Sequence, residues 1–127
     1  MLRRLRCTAL LLAAFVSTLA SALQLKDDRG VVVELRAAPS RIIALSPHLA
    51  EIVYAAGAGH RLAAVVRYSD YPEAAARLPR VGDSSRVDME RIVTLKPDLI
   101  LGWRSGNSRG DLERLEARGF PVFVTEP

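Results

Sequence analysis

The stretch Arg41-Ile42-Ile43-Ala44-Leu45-Ser46-Pro47 decides how the rest of the chain is read. Its aliphatic run reads as a buried strand. Ser46 is a good helix N-cap, and Pro47 follows at the first helical position. A strand that feeds directly into a helix is half of a βαβ unit. The helix continues through Glu51-Ile52-Val53-Tyr54-Ala55-Ala56 and stops near Gly57, which tolerates the left-handed conformation.

The same alternation repeats downstream. Leu62 to Arg67 reads as a second strand, with Ala63-Ala64-Val65-Val66 as its buried part, and residues 72–80 hold an alanine-rich helical turn between Pro72 and Pro79. Asp88 caps a helix over Met89 to Leu95 that Pro97 closes. Leu99-Ile100-Leu101 is a third strand, Asp111 to Arg118 a helix stopped by Gly119, and Val122-Phe123-Val124 a fourth strand. Upstream, Leu23 to Lys26 and Val31 to Leu35 flank Asp27-Asp28-Arg29-Gly30 and read as a β-hairpin, with Ala37-Ala38-Pro39-Ser40 as a linker. The fold class expected is α/β: a Rossmann-like parallel sheet flanked by helices, with a small N-terminal hairpin. No internal repeat or low-complexity segment interrupts it.

Residues 1–22 carry a different signal. Met1-Leu2-Arg3-Arg4-Leu5-Arg6 is basic, Cys7 to Leu19 is almost wholly apolar, and Ala20-Ser21-Ala22 gives the small-x-small pattern of a cleavage site. Together they describe a secretory signal peptide. The apolar run is shorter than the ~20 residues a spanning helix needs. Cys7 precedes the apolar run, too early for a lipoprotein anchor. Cleavage after Ala22 leaves residues 23–127 as one exported domain without cysteine and hence without disulfides, which suits a bacterial periplasm at least as well as an animal secretion route. The chain stops soon after its last strand, so it reads as cut short, with a second lobe missing.

Charge and chemistry exclude several classes. The formal charge of +4 includes Arg3, Arg4 and Arg6. Without them the balance is near neutral, so the basic pI is no sign of nucleic acid binding. The two histidines, His48 and His60, have no second ligand at a metal-like spacing and read as surface residues. Gly57-Ala58-Gly59 follows a helix rather than a strand, and Asp27-Asp28 sits where aspartates suit a turn. Nothing assembles a nucleophile, a base and an oxyanion site, so no enzyme, cofactor or metal centre is expected.

What remains is a rim. Carboxyl ends of parallel strands share one edge of the sheet, and ligands bind in the crevice outside it. Ser46-Pro47, Tyr68-Ser69-Asp70-Tyr71-Pro72 and Trp103-Arg104-Ser105-Gly106-Asn107 each follow a strand, so two large aromatics, Tyr68 and Trp103, are expected at one rim.

Those three stretches, with Met89-Glu90-Arg91-Ile92-Val93-Thr94-Leu95-Lys96-Pro97-Asp98 before the third, resemble the N-terminal lobe of periplasmic cobalamin-binding proteins of ABC importers. Relatives of that family bind iron-siderophores and haem. The resemblance spans residues 41 to 126. It implies two lobes joined by a long helix, with the ligand in the cleft between them. It also implies that Tyr68 contacts a corrin ring and that Trp103 lines the same pocket. Ser46, Pro47 and Arg104 are candidate ligand contacts beside them. Aromatic faces suit the apolar area of a corrinoid, while backbone groups and a hydroxyl suit its amide fringe. The plainer alternatives are a core tryptophan and a surface tyrosine. The loop Gly82-Asp83-Ser84-Ser85-Arg86 departs from the family pattern, having Ser84 near the place of a further pocket tryptophan. Glu90 is implied to dock the lobe on arginines of the membrane permease, which works with an ATPase in the inner membrane. An iron-siderophore or haem carrier, for which Arg67 and Arg104 would serve, and a non-binding fragment are the alternatives. A lone lobe offers half a cleft and is expected to bind weakly or not at all.

Overall fold

Ile42 and Ala44 turn to one side of the sheet, Ile43 and Leu45 to the other, and this alternation builds a core on both faces. The computed structural model describes residues 22–127, so the signal-peptide expectation lies outside the described residues but for Ala22. Strands β1 (Leu23–Lys26) and β2 (Val32–Leu35) form an antiparallel hairpin. Then follow β3 (Ile42–Ala44), α1 (Pro47–Ala55), β4 (Leu62–Ala64), α2 (Glu73–Ala76), α3 (Met89–Leu95), β5 (Leu99–Trp103), α4 (Arg109–Ala117) and β6 (Val122–Thr125). The last four strands make one parallel sheet in the order β4-β3-β5-β6. The chain therefore steps from β3 to one side and returns to build the other side. The reversal lies between β3 and β5, where an open α/β sheet forms its ligand crevice.

One face of the sheet packs Ile43, Ile100, Val122 and Val124 against Ile92 of α3 and Leu112 and Leu115 of α4. The other packs Ile42, Ala44 and Leu99 against Leu49, Ala50 and Val53 of α1 and against Val33 and Leu35 of the hairpin. A register shift between β3 and β4 pairs Ile42 with Leu62 but Ile43 with Ala64. β4 is shorter than the apolar run Leu62 to Val66 suggests because Val65 pairs with the Pro79–Val81 segment, donating to Pro79 O and accepting the Val81 amide.

The caps behave as their chemistry requires. Ser46 Oγ accepts the Leu49 amide, Asp88 Oδ1 accepts the Arg91 amide at 3.1 Å, and Gly57 and Gly119 take positive φ after α1 and α4. Helix α4 begins two residues earlier than Asp111, because Ser108 is the cap. Asp111 is instead buried in the first turn, where its carboxylate accepts the Val87 amide at 3.2 Å and an Arg114 N–H.

The hairpin turn does more than reverse the chain. Val124 N–H donates to Asp27 Oδ2 (3.1 Å), Asp28 N–H donates to Val124 O (3.1 Å), and Glu126 N–H donates to Asp28 Oδ2 (2.7 Å). Arg29 adds a bond to Val122 O and an ion pair with Glu116 of α4. Three turn residues thus satisfy three outward-facing groups of β6 and the amide of Glu126 just beyond it, along an edge strand that would otherwise be bare. Asp27 itself accepts from Arg29, Val31 and Val124, and these bonds hold its carboxyl below the usual range although burial works to raise it.

Candidate functional site

The loops after β3, β4 and β5 leave the same edge of the sheet on three adjacent strands. β4 and β5 flank β3, so the strands that lead to Tyr68 and Trp103 lie two strand spacings apart, about 10 Å. Tyr68 lies four residues beyond the end of β4, and Trp103 is the last residue of β5.

Their settings differ. Tyr68 is 72% exposed and has φ +70°, a left-handed conformation unusual for a side chain of its size. Its loop is held from below by Arg80, whose guanidinium donates to Ser69 O (3.0 Å), Ala75 O (3.3 Å) and Asp70 Oδ1 (3.0 Å). The Tyr71–Pro72 peptide is cis. Trp103 is half-buried instead. Alternation along β5 turns its side chain to the α1 face with Leu99 and Leu101. There His48 meets it edge-to-face, with ring centroids 5.2 Å apart at 87°. Gly106 lies so close to the indole that a Cβ there would sit 1.8 Å from a ring carbon.

His48 corrects a sequence expectation. It is not a free surface residue. Its Nδ1 hydrogen-bonds Ser46 Oγ at 3.0 Å and its ring packs on Trp103. Ser46 is wholly buried and spends its hydroxyl on the helix cap and on His48, so it shapes the rim from within. Pro47 is half-buried at the start of α1. Arg104 is exposed. It borders a concavity of about 410 Å³ shared with Arg29 and Arg109, and a second beside Ser105 and Glu126. Glu90 is exposed in the first turn of α3, as its proposed role needs. His60 is exposed as read.

Asn107 is the residue that sequence reasoning missed. It is 7% exposed, and its side chain reaches three loops at once. Oδ1 accepts the Trp103 amide at 2.6 Å, and Nδ2 donates to Leu45 O and to Ser84 O, each at 2.8 Å. A buried polar side chain at a loop end was the only available signal, and its partners lie 62 and 23 residues away. The Ser84 loop is itself tight. Gly82 has φ +90°, and Asp83 Oδ1 accepts the amides of Ser85 and Arg86. Those bonds, with the Ser85 hydroxyl foremost, lower the Asp83 pKa, and Arg67 across the rim adds to the effect.

Among the described residues, no group of three or more His, Cys, Asp or Glu could hold a metal ion. The arrangement offers an exposed phenol, a half-covered indole and a free guanidinium on a braced edge. That is binding chemistry for a large ligand with both apolar and polar surface.

Comparison with known proteins gives a consistent result. The family model described as periplasmic binding protein matches residues 42–127. A vitamin B12-binding protein of Vibrio vulnificus (strain YJ016) is 50% identical over 95 residues, covering 74% of this chain and 35% of that protein. The crystal structure of the periplasmic vitamin B12 binding protein BtuF of Vibrio cholerae matches with a TM-score of 0.66 and 48% identity, over 68% of this chain and 34% of that one. The periplasmic heme-binding protein RhuT from Roseiflexus sp. RS-1, in apo form, matches with a TM-score of 0.65 and 30% identity over 70% and 34%. This chain thus spans about a third of the length of the relatives it matches.

Proposed function

Because the chain belongs to the periplasmic binding protein family, we propose that it supplies the ligand-recognising wall of a periplasmic carrier for cobalamin or a related corrinoid, which hands its cargo to an ABC permease and ATPase. The family is one of binding proteins rather than catalysts. What supports the ligand choice is exposed Tyr68 and half-buried Trp103 on loops that leave the same sheet edge on either side of β3, in a chain 50% identical over 95 residues to a vitamin B12-binding protein. In this reading the Tyr68 phenol lies on the corrin face and Trp103 borders it. Arg104 meets the polar fringe, and Pro47 forms the floor between them, with the wholly buried Ser46 supporting it from beneath. Glu90, exposed at the start of α3, is the docking carboxylate for the permease. Its contribution falls on orientation and encounter rate more than on affinity. Residues 1–22 act as the export signal, and residues 23–127 form one lobe, opposed in the working carrier by a second.

A second reading, a haem carrier, is favoured by one specific feature. Arg104 borders a concavity with Arg29 and Arg109; Arg29 is paired with Asp27 and Glu116 and Arg109 with Glu113, so of these three the Arg104 guanidinium is the one open to a carboxylate.

Titration of the purified chain with cyanocobalamin, haemin and a ferric siderophore decides between them, with emission of Trp103 as the signal. Cyanocobalamin should bind saturably but weakly, in the micromolar range or above, and Tyr68→Ala should abolish it. A preference for haemin transfers the function to the second reading. No saturable change with any ligand up to about 1 mM, where binding is worth only about 4 kcal/mol, removes both as activities of this lobe by itself.

A further inference from the structure

We propose that Asn107 is the positioning residue of this rim: it locks the loops after β3 and β5 and the Gly82–Arg86 loop into one body, leaving the Tyr68 loop to adjust separately. The inference rests on the rim being the ligand site and names the part of that site that holds its shape.

The amide of Asn107 is fully used. One oxygen accepts from Trp103 N–H, and two N–H groups serve the carbonyls of Leu45 and Ser84. Asn107 N–H also donates to Trp103 O at 2.9 Å, so the two residues are joined twice. Leu45 is the residue before Ser46-Pro47, so a shift of that loop relative to Trp103 must break a buried bond. A buried group left unpaired is costly, and such a bond therefore resists motion. No residue of the same shape can replace it. Aspartate would set an oxygen against two carbonyl oxygens, and leucine would orphan all three partners. The Tyr68 loop has no bond to Asn107. Its anchor is Arg80, and its link to the Ser84 loop is the backbone bond from Arg67 N–H to Gly82 O at 2.8 Å.

The single tryptophan of the chain is Trp103, so its emission reports this lock directly. Asn107→Asp should, at pH 7.5, shift Trp103 emission to the red and raise acrylamide quenching at least twofold. Protonating the new carboxyl at lower pH returns one donor, so both changes should reverse partly towards pH 5, each read against the wild-type protein at the same pH because the imidazole of His48 packs on Trp103. Wild-type emission and quenching in Asn107→Asp overturn the proposal. So does a change that does not respond to pH, which would mean simple loosening of the fold. Should Asn107→Asp fail to fold, hydrogen exchange in the wild-type chain decides. The Trp103 amide should be protected at least a hundredfold more than the Ser69 amide, and equal protection overturns the proposal. None of these readouts uses a ligand. Failure of the wild-type chain to bind any corrinoid therefore removes corrinoid binding by this lobe itself without touching this result.

Discussion

The carboxylate of Asp27 accepts the amide of Val124 across 97 residues of chain, fastening the hairpin turn to the outer edge of the sheet. The same carboxylate accepts the amides of Arg29 and Val31 and the Arg29 guanidinium, all within 3.1 Å, with its side chain wholly buried. Asp27→Ala leaves several of these donors without a partner. It should cost about 3 kcal/mol, since each orphaned buried group costs about 1–3 kcal/mol and part of the loss is recovered by water. Urea denaturation measures it, and a loss under about 1 kcal/mol contradicts the assignment.

The same bonds set a pH dependence. Burial alone would raise the Asp27 pKa, but bonds from Arg29, Val124 and Val31 bring it below 3.8. Asp98 behaves alike, with burial outweighed by the amides of Ser40 and Arg41 and the Ser40 hydroxyl. A carboxylate with a depressed folded-state pKa stabilises the fold above its unfolded value. That stability is lost as pH falls through the folded value. Stability should therefore hold to about pH 4 and drop steeply below it, and Asp27→Asn should flatten the drop. Circular dichroism against pH checks both.

How much of this was legible in the residues can be judged from particular elements. The strand–cap–proline sequence at Ile42 to Pro47 fixed β3 and α1 because each signal is local. The rim followed from the rule that parallel strands share an edge. Helix α4 was read as starting at Asp111, two residues late, with the cap at Ser108 unrecognised. The Asp111 carboxylate is used by Val87 in another loop, which no local rule reveals. Asn107 and His48 were hidden for the same reason. Their roles exist only once three loops meet, and nothing in sequence spacing encodes which loops those are.

Gly106→Ala tests the seat of the indole. A methyl group there would lie within 2.0 Å of two Trp103 ring carbons, so the ring must move. The variant should keep its secondary structure, lose on the order of 1–3 kcal/mol as overpacking does, and change Trp103 emission. Unaltered emission would mean the ring is not seated against Gly106.

Arg80→Leu tests the support of the Tyr68 loop. It removes three bonds to Ser69, Ala75 and Asp70 while the hydrophobic stem is kept. Local opening should become easier by about 1–2 kcal/mol, roughly tenfold in the open population. Chymotryptic cleavage after Tyr68, which is largely exposed, should quicken in proportion. An unchanged cleavage rate would mean the loop is held by its own backbone alone.

Tyr68 holds a left-handed backbone under a large ring, a conformation costing roughly 1 kcal/mol or more for a side-chain-bearing residue. Glycine would sit there without strain, and a ring this exposed contributes little to the core. Durability and capture are therefore opposed at one position. Selection of this chain for heat resistance alone should favour glycine or asparagine at residue 68, and the sturdier protein should be the poorer carrier.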